Sequence, residues 1–323
     1  MMRFLPTDDQ LAFAEGVDDV VNGHGGTEVV RAWAQGDTGP GVELWQAMSE
    51  FGLGGLRLAE DEGGLGASVA DAVIVFERLG YHAVPGPYIE SMVLLPALLG
   101  PEDRAELLGG SMATASVEGL VPYATDATLA ARRFVVTGRT IAEAPEPTET
   151  IESMSSLRRL SFLTADPATQ RGLDPGVVSQ AVDESVLACA AYLLGAGERL
   201  LDEAVAYAKV REQFGHAIGE FQALKHQLAD VKVGLAFAQP LVRGAALAID
   251  TATRSRDVSA AKLAATQAAQ GAGRVALQVH GAIGYTAEHH MGQWLTLVSA
   301  LAPVWGTPRF HRDRVATTIL ARA

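Results

Sequence analysis

The sequence predicts a mainly α protein in which helical layers at both ends flank a small β-rich middle. Three observations lead there. Over residues 1–110, apolar side chains recur at helical spacing between glycine-marked turns. Over 111–176, short β-branched runs alternate with turns and a Pro-Glu-Pro break. Over 177–323, long stretches rich in Ala and Leu suit a bundle of the four-helix type.

Thr7-Asp-Asp-Gln10 has the form of a capping box and opens a helix carrying Leu11, Phe13, Val17 and Val20. Leu44–Phe51 reads as a helix stopped by Gly52. Glu60–Gly66 is turn-rich, and Val69–Leu79 and Ser91–Leu99 are strongly apolar helices. Strands are expected at Thr114–Glu118, Arg132–Thr137 and Leu157–Thr164, with Ala142–Ser155 an exposed acidic loop. A long helix runs from Val177 to near Gly215, and another opens at about Phe221, with Pro240 kinking or ending it. Helices over Ser259–His280 and Pro308–Ala321 complete the pattern.

Composition excludes several classes. A chain of 323 residues with 48% hydrophobic content can bury a large core. A net charge of −13 argues against nucleic acid, which needs concentrated Lys and Arg. The single cysteine, Cys189, permits no internal disulfide and no cysteine metal cluster. No histidine spacing makes a convincing metal site, and adjacent His289 and His290 do not share a helix face. The N-terminus lacks an apolar signal core, and no run looks long enough to span a bilayer, so a cytoplasmic chain is expected.

The densest chemistry lies at YAKVREQFGHAIGEFQALKHQLAD, Tyr207–Asp230. Arg211, Gln213, Phe214 and Gln222 crowd a glycine-containing corner between two helices. A guanidinium fork, an aromatic edge and carboxamides suit a pyrophosphate-bearing ligand, because Arg grips phosphate oxygens bidentately. On spacing alone the same residues also fit ordinary helix-end charges and a core phenylalanine. Gln278–Tyr285, QVHGAIGY, places glycines where a ligand can approach the backbone; a plain glycine helix stop fits it too. His226 and His280 lie within these two stretches.

The first stretch resembles the acyl-CoA dehydrogenase signature Y-A-x-x-R-x-Q-F-G-x-x-I-x-x-F-Q-x-x-x-H-x-x-A-D, and the second resembles that family's Q-x-x-G-G-x-G-Y, with Ala282 for the second glycine. Gly63-Gly-Leu-Gly66 resembles the family's P-x-x-x-G-G-x-G turn, with Leu58 near the usual proline. The resemblance implies that Arg211, Phe214, Gln222 and Gln278, with Gly281 and Ala282, contact FAD held with a neighbouring subunit. It also exposes departures. The middle region is short and lacks the family's E-x-x-x-G-S-D flavin segment, Val117–Pro122 being the nearest remnant. Trp305, in Val304-Trp-Gly-Thr307, stands where the family's usual catalytic Glu would be, and Arg309 replaces a carboxylate beyond it. Ser185 stands at the alternative Glu position. The adjacent Glu184 is a weak substitute, expected to be a solvated helix-start residue.

Relatives of this short kind imply a subunit without its own base. They pair with a homologous full-length acyl-CoA dehydrogenase chain as α2β2 heterotetramers on steroid-CoA thioesters, in cholesterol-type side-chain breakdown. An electron-transfer flavoprotein-type acceptor belongs to that picture. Two alternatives stay open: a flavin-free scaffold on the same fold, and a homomeric enzyme with a relocated base.

Overall fold

The computed structural model describes residues 4–285 and 290–321. The N-terminal third is helical: α1 (Asp8–Gly23), α2 (Thr27–Ala34), α3 (Gly39–Glu50) and α4 (Val69–Tyr81), then a π-helical turn Glu90–Leu94 that continues as α5 (Leu95–Leu98), and α6 (Pro101–Leu108). Thr7 caps α1 as expected: its hydroxyl accepts from the Gln10 N–H at 3.2 Å while the Gln10 amide oxygen accepts from the Thr7 N–H at 2.9 Å. Ser68 caps α4 in the same way, with Asp71 as the reciprocal acceptor.

The middle is a four-stranded sheet in the order β1 (Ala113–Val117), β3 (Arg132–Val136), β4 (Thr140–Glu143), β6 (Arg171–Gly172). β1 and β3 are parallel; β4 is antiparallel to β3 and to β6. A separate two-residue ladder joins β2 (Ala124–Thr125) to β5 (Leu160–Ser161) and sets Thr125 beside the Arg158–Arg159 pair. Two expectations for this region are corrected. The strand foreseen over Leu157–Thr164 shrinks to β5, because Ser155–Arg158 turns inward and buries Leu157. The acidic loop foreseen from Ala142 begins inside β4, where Ile141 and Ala142 are buried against β3.

The C-terminal half is built from α7 (Pro175–Val210), α8 (Gln222–Leu247), α9 (Arg254–His280), α10 (Met291–Leu301) and α11 (Pro308–Leu320). The fold is therefore mainly α, with α7 and α9 as its packed centre. α7 is long and apolar enough to cross a membrane by length and composition, contrary to the expectation that no run would be; 78% of that window is buried inside the protein, the mark of a core helix. Pro240 sits inside α8 without ending it. It is exposed, and the Ala236 carbonyl it cannot bond lies in an exposed stretch where water can serve it.

The N-terminal layer locks onto α7 through two glycines. A Cβ on Gly80 would lie 1.9 Å from the Tyr192 carbonyl oxygen, and one on Gly195 would lie 1.8 Å from that of Glu77. The α4 and α7 backbones thus touch, which only residues without a side chain allow. One continuous apolar core runs from Val17 and Trp33 through α4 and α7 to Trp294 and Trp305.

Candidate functional site

Helix α7 ends with Arg211 as its C-cap, the Arg211 N–H donating to the Tyr207 carbonyl at 2.9 Å. Beyond Arg211 the chain forms a hairpin, not the plain helix-helix link that the spacing suggested. β7 (Glu212–Gln213) pairs antiparallel with β8 (His216–Ala217) across Phe214 and Gly215. Both turn residues have positive φ, +56° and +82°, the conformation that a two-residue hairpin of primed type requires. The turn holds Phe214 outward at 89% exposure, its ring edge-on to Phe221 at 6.4 Å. The Ile218 N–H donates to the Arg211 carbonyl at 2.7 Å and closes the loop, and α8 begins at Gln222.

This corner is rich in free donors. Arg211 and Gln222 are exposed, and among the described residues Arg211 has no ion pair. Phe221, at the N-cap of α8, offers no side-chain acceptor, so the first N–H groups of a 26-residue helix lack a side-chain cap. Gln278 in the last turn of α9 is exposed too, as are Gly281 (φ +60°) and Ala282. The rings of Tyr207 and His280 stack at 4.3 Å and tie the end of α7 to the end of α9. Both motifs therefore occupy the same end of the bundle. His226 is exposed on α8, whereas His280 is buried; His289 lies outside the described residues, and His290 bonds Glu203 at 3.0 Å.

The other candidates are inside. Trp305 is 1% exposed with φ +60°, and its carbonyl is bonded by His311 Nε2 at 3.0 Å. Burial pushes His311 down to about 4, so the ring is neutral: Nε2 donates to Trp305, and Nδ1 accepts from the Ser259 hydroxyl at 3.1 Å. Thr307 caps α11, while Arg309 stays in solvent near Asp313. Ser185 is fully buried and donates to the Ala181 carbonyl at 2.8 Å. Glu184 corrects the expectation of a solvated residue: it is buried, and it takes bonds from Arg57 at 3.0 Å and Gln180 at 3.2 Å. It lies well within α7, on a face covered by the segment bearing Arg57. Cys189 is buried and free, as expected.

Two domain models of one family match the chain: the acyl-CoA dehydrogenase N-terminal domain over residues 7–100 and its C-terminal domain over 175–320. Acyl-CoA dehydrogenase IpdE2 of Mycobacterium tuberculosis is 34% identical over 94% of this chain and 95% of its own length. The chain belongs to the acyl-CoA dehydrogenase family. Among solved structures of this fold, the Tcur3481-Tcur3483 steroid ACAD superposes with a TM-score of 0.85 at 22% identity, covering 98% of each chain. A chain of the ChsE4-ChsE5 complex from Mycobacterium tuberculosis does so with 0.81 at 21% identity, covering 99% of each.

Sequence reasoning missed the polar groups around an inner cavity of about 50 Å³ that Trp305 helps to close. Glu90, the first residue of the π-helical turn, lines it together with Tyr88, Arg158 and Tyr192. Burial pushes Glu90 up to about 7 against the opposing pull of Arg158. The one available signal was an acidic residue inside the apolar run Tyr88–Leu95. Arg158 lies 68 positions further on and gave none.

Proposed function

We propose that this chain is one subunit of a cytoplasmic, flavin-dependent acyl-CoA dehydrogenase that desaturates a CoA thioester between its α and β carbons. On this reading it divides into units 1–110, 111–176 and 177–323 and contributes half of an FAD site to a homologous full-length partner in an α2β2 assembly. The observation that carries the reading is the contrast between an exposed, donor-rich corner and a sealed family base position. Arg211 would grip the diphosphate of FAD, aided by the α8 N-terminus, while Phe214, Gln222 and Gln278 would hold the adenine end. Gly281 and Ala282 would offer backbone contact there. These groups fit FAD chemically: they are exposed, they are donors or aromatic, and among the described residues the Arg211 charge has no ion-pair partner.

FAD, when bound, supplies the acceptor for hydride from the β carbon. This chain's own residues do not take the α proton. The Trp305 indole is a donor only, Ser185 spends its hydroxyl on Ala181, and Glu184 is committed to Arg57. The base is therefore assigned to the partner. A steroid side-chain thioester is the proposed substrate, supported by the steroid ACAD of the same fold, with an electron-transfer flavoprotein-type acceptor for reoxidation.

Flavin absorbance per chain tests this, on the protein purified alone and co-expressed with a full-length homologue. Flavin in the mixed assembly only, at about one per pair of chains and lost in Arg211→Ala, is expected. Turnover by the single chain would overturn the shared site, and a flavin-free active assembly would overturn the cofactor.

A further inference from the structure

We propose that Arg243 is a latch shared between Glu77 and the N-terminal strap of residues 4–7. It holds the strap over an apolar groove while Glu77 is neutral and releases it once Glu77 carries its charge. The latch sits towards the far end of α8 from Gln222 and does not depend on the shared flavin site.

The strap is fixed at one end only. Its Thr7 end is held by the Thr7–Gln10 capping box, and Gln10 Nε2 donates onward to Asp71 of α4 at 2.7 Å. Its Phe4 end has a single hydrogen bond among the described residues, from Arg243 Nη1 to the Phe4 carbonyl at 3.3 Å. The Phe4 ring lies against Gly244, where a Cβ would come within 3.1 Å of it. Between the strap, α4 and α8 lies a groove of about 510 Å³ with Ala70, Ile74 and Leu247 as its apolar wall.

The same guanidinium faces Glu77 of α4. Arg243 Nη2 stands 3.6 Å from Glu77 Oε2, longer than a hydrogen bond. Arg243 Nε and Glu77 Oε1 are both buried without a partner, although buried polar groups are nearly always bonded. Nε and Nη2 form one edge of the guanidinium, and the two oxygens of a carboxylate match such an edge. The pair is a fork left open. A neutral carboxyl has little pull on it, whereas an ionised one gains charge-assisted bonds at about 2.8 Å. Closing the fork draws Nη1, already at 3.3 Å, out of reach of the Phe4 carbonyl.

Burial pushes Glu77 up to about 7 against the pull of Arg243, with Glu198 of α7 adding to the rise and Arg78 opposing it. Burial raises Glu198 too, facing Lys232 of α8 and Asp202 of α7. Asp18 of α1 bonds both Arg78 and His82. The strap is therefore seated below about pH 7 and freed above it.

The test follows the strap itself. Leu5 is 72% exposed, so Leu5→Cys can carry a pH-insensitive fluorophore, while Cys189 is buried and stays unlabelled in the folded protein. Fluorescence anisotropy of the intact chain is read from about pH 5 to about pH 9, a span that covers the titration of a buried carboxyl. The ratio of seated to released strap is expected to fall about tenfold as pH rises through about 7, the worth of a hydrogen bond from a charged donor. Glu77→Gln keeps the shape and stays neutral, so its anisotropy should remain high throughout. Arg243→Met should be low throughout, and where that variant fails to fold, Glu77→Gln decides alone. A flat titration of the parent, a rise in place of the fall, or a midpoint that survives in Glu77→Gln overturns the proposal.

Discussion

The end of the bundle that carries Arg211 and the interior around Trp305 treat polar groups in opposite ways. At the bundle end, Arg211, Gln222 and Gln278 stand in solvent, beside an aromatic ring held outward by a strained turn. In the interior, by contrast, His311 bonds the Trp305 carbonyl, and Ser185 and Glu184 likewise spend their polar atoms on neighbours. Groups of the first kind cost the fold little and are available to another molecule. Groups of the second kind are committed to holding the fold. The interior thus spends its polar groups on packing, while the corner at the bundle end keeps its donors in solvent.

Four changes break or sharpen that contrast. The largest effect is expected from Gly195→Ala, whose new methyl would overlap the Glu77 carbonyl. A loss of about 3 kcal/mol or more is expected from overpacking against backbone, read from the urea midpoint; a loss below about 1 kcal/mol would mean that α4 and α7 separate at no cost. Arg211→Ala is the mirror case. Stability should stay within about 0.5 kcal/mol, as for exposed surface positions, while flavin content of the mixed assembly drops about tenfold or more, the worth of a charge-assisted phosphate contact.

Glu184→Gln comes next. It leaves the partly exposed Arg57 without its anion, and a loss of about 1–2 kcal/mol is expected, discounted because Arg57 retains some solvent access. The turnover rate of the assembly should not change, and a collapse in rate with normal flavin content would make Glu184 the base after all. The smallest effect is that of Glu90→Gln, and it depends on pH. Burial raises Glu90 from 4.5 to about 7, so the native state holds this proton more tightly than the unfolded chain does. Its stabilising contribution is full below about pH 4.5 and is lost as pH rises through about 7. The variant should therefore gain melting temperature relative to the parent at pH 8 and show no gain at pH 5. A pH-independent difference would show that Glu90 does not titrate in this range.

Much of the fold was legible because its signals are local. Thr7 and Gln10 announce α1, the apolar run from Val69 announces α4, and Ala-rich periodicity announces α7 and α9. The helices the pattern did not announce are α2, only eight residues long and without a side-chain cap, α6, also eight residues and largely polar, and α10. The hairpin after Arg211 was hidden for a different reason. Residues 207–214 read as a helix continuing, and what stops it is the left-handed pair Phe214–Gly215 together with the Ile218 to Arg211 bond. β4 was hidden in an acidic stretch because its pairing partner, β3, decides its burial.

By itself, the sequence determined the mainly α class, the long helices α1, α4, α7, α8 and α9, the place of a small β-rich middle, and the identity of the residues at the two motif ends. Those depend on periodicity, caps and glycines, which act over a few residues. Only the tertiary structure decided which polar groups face water and which face one another. Glu184 and Arg57 are 127 residues apart, and Thr125 and Arg158 are 33 apart. Desolvation depends on every atom packed around a group, so a carboxylate on a helix reads alike whether it meets solvent or a buried guanidinium, until distant segments have closed over it.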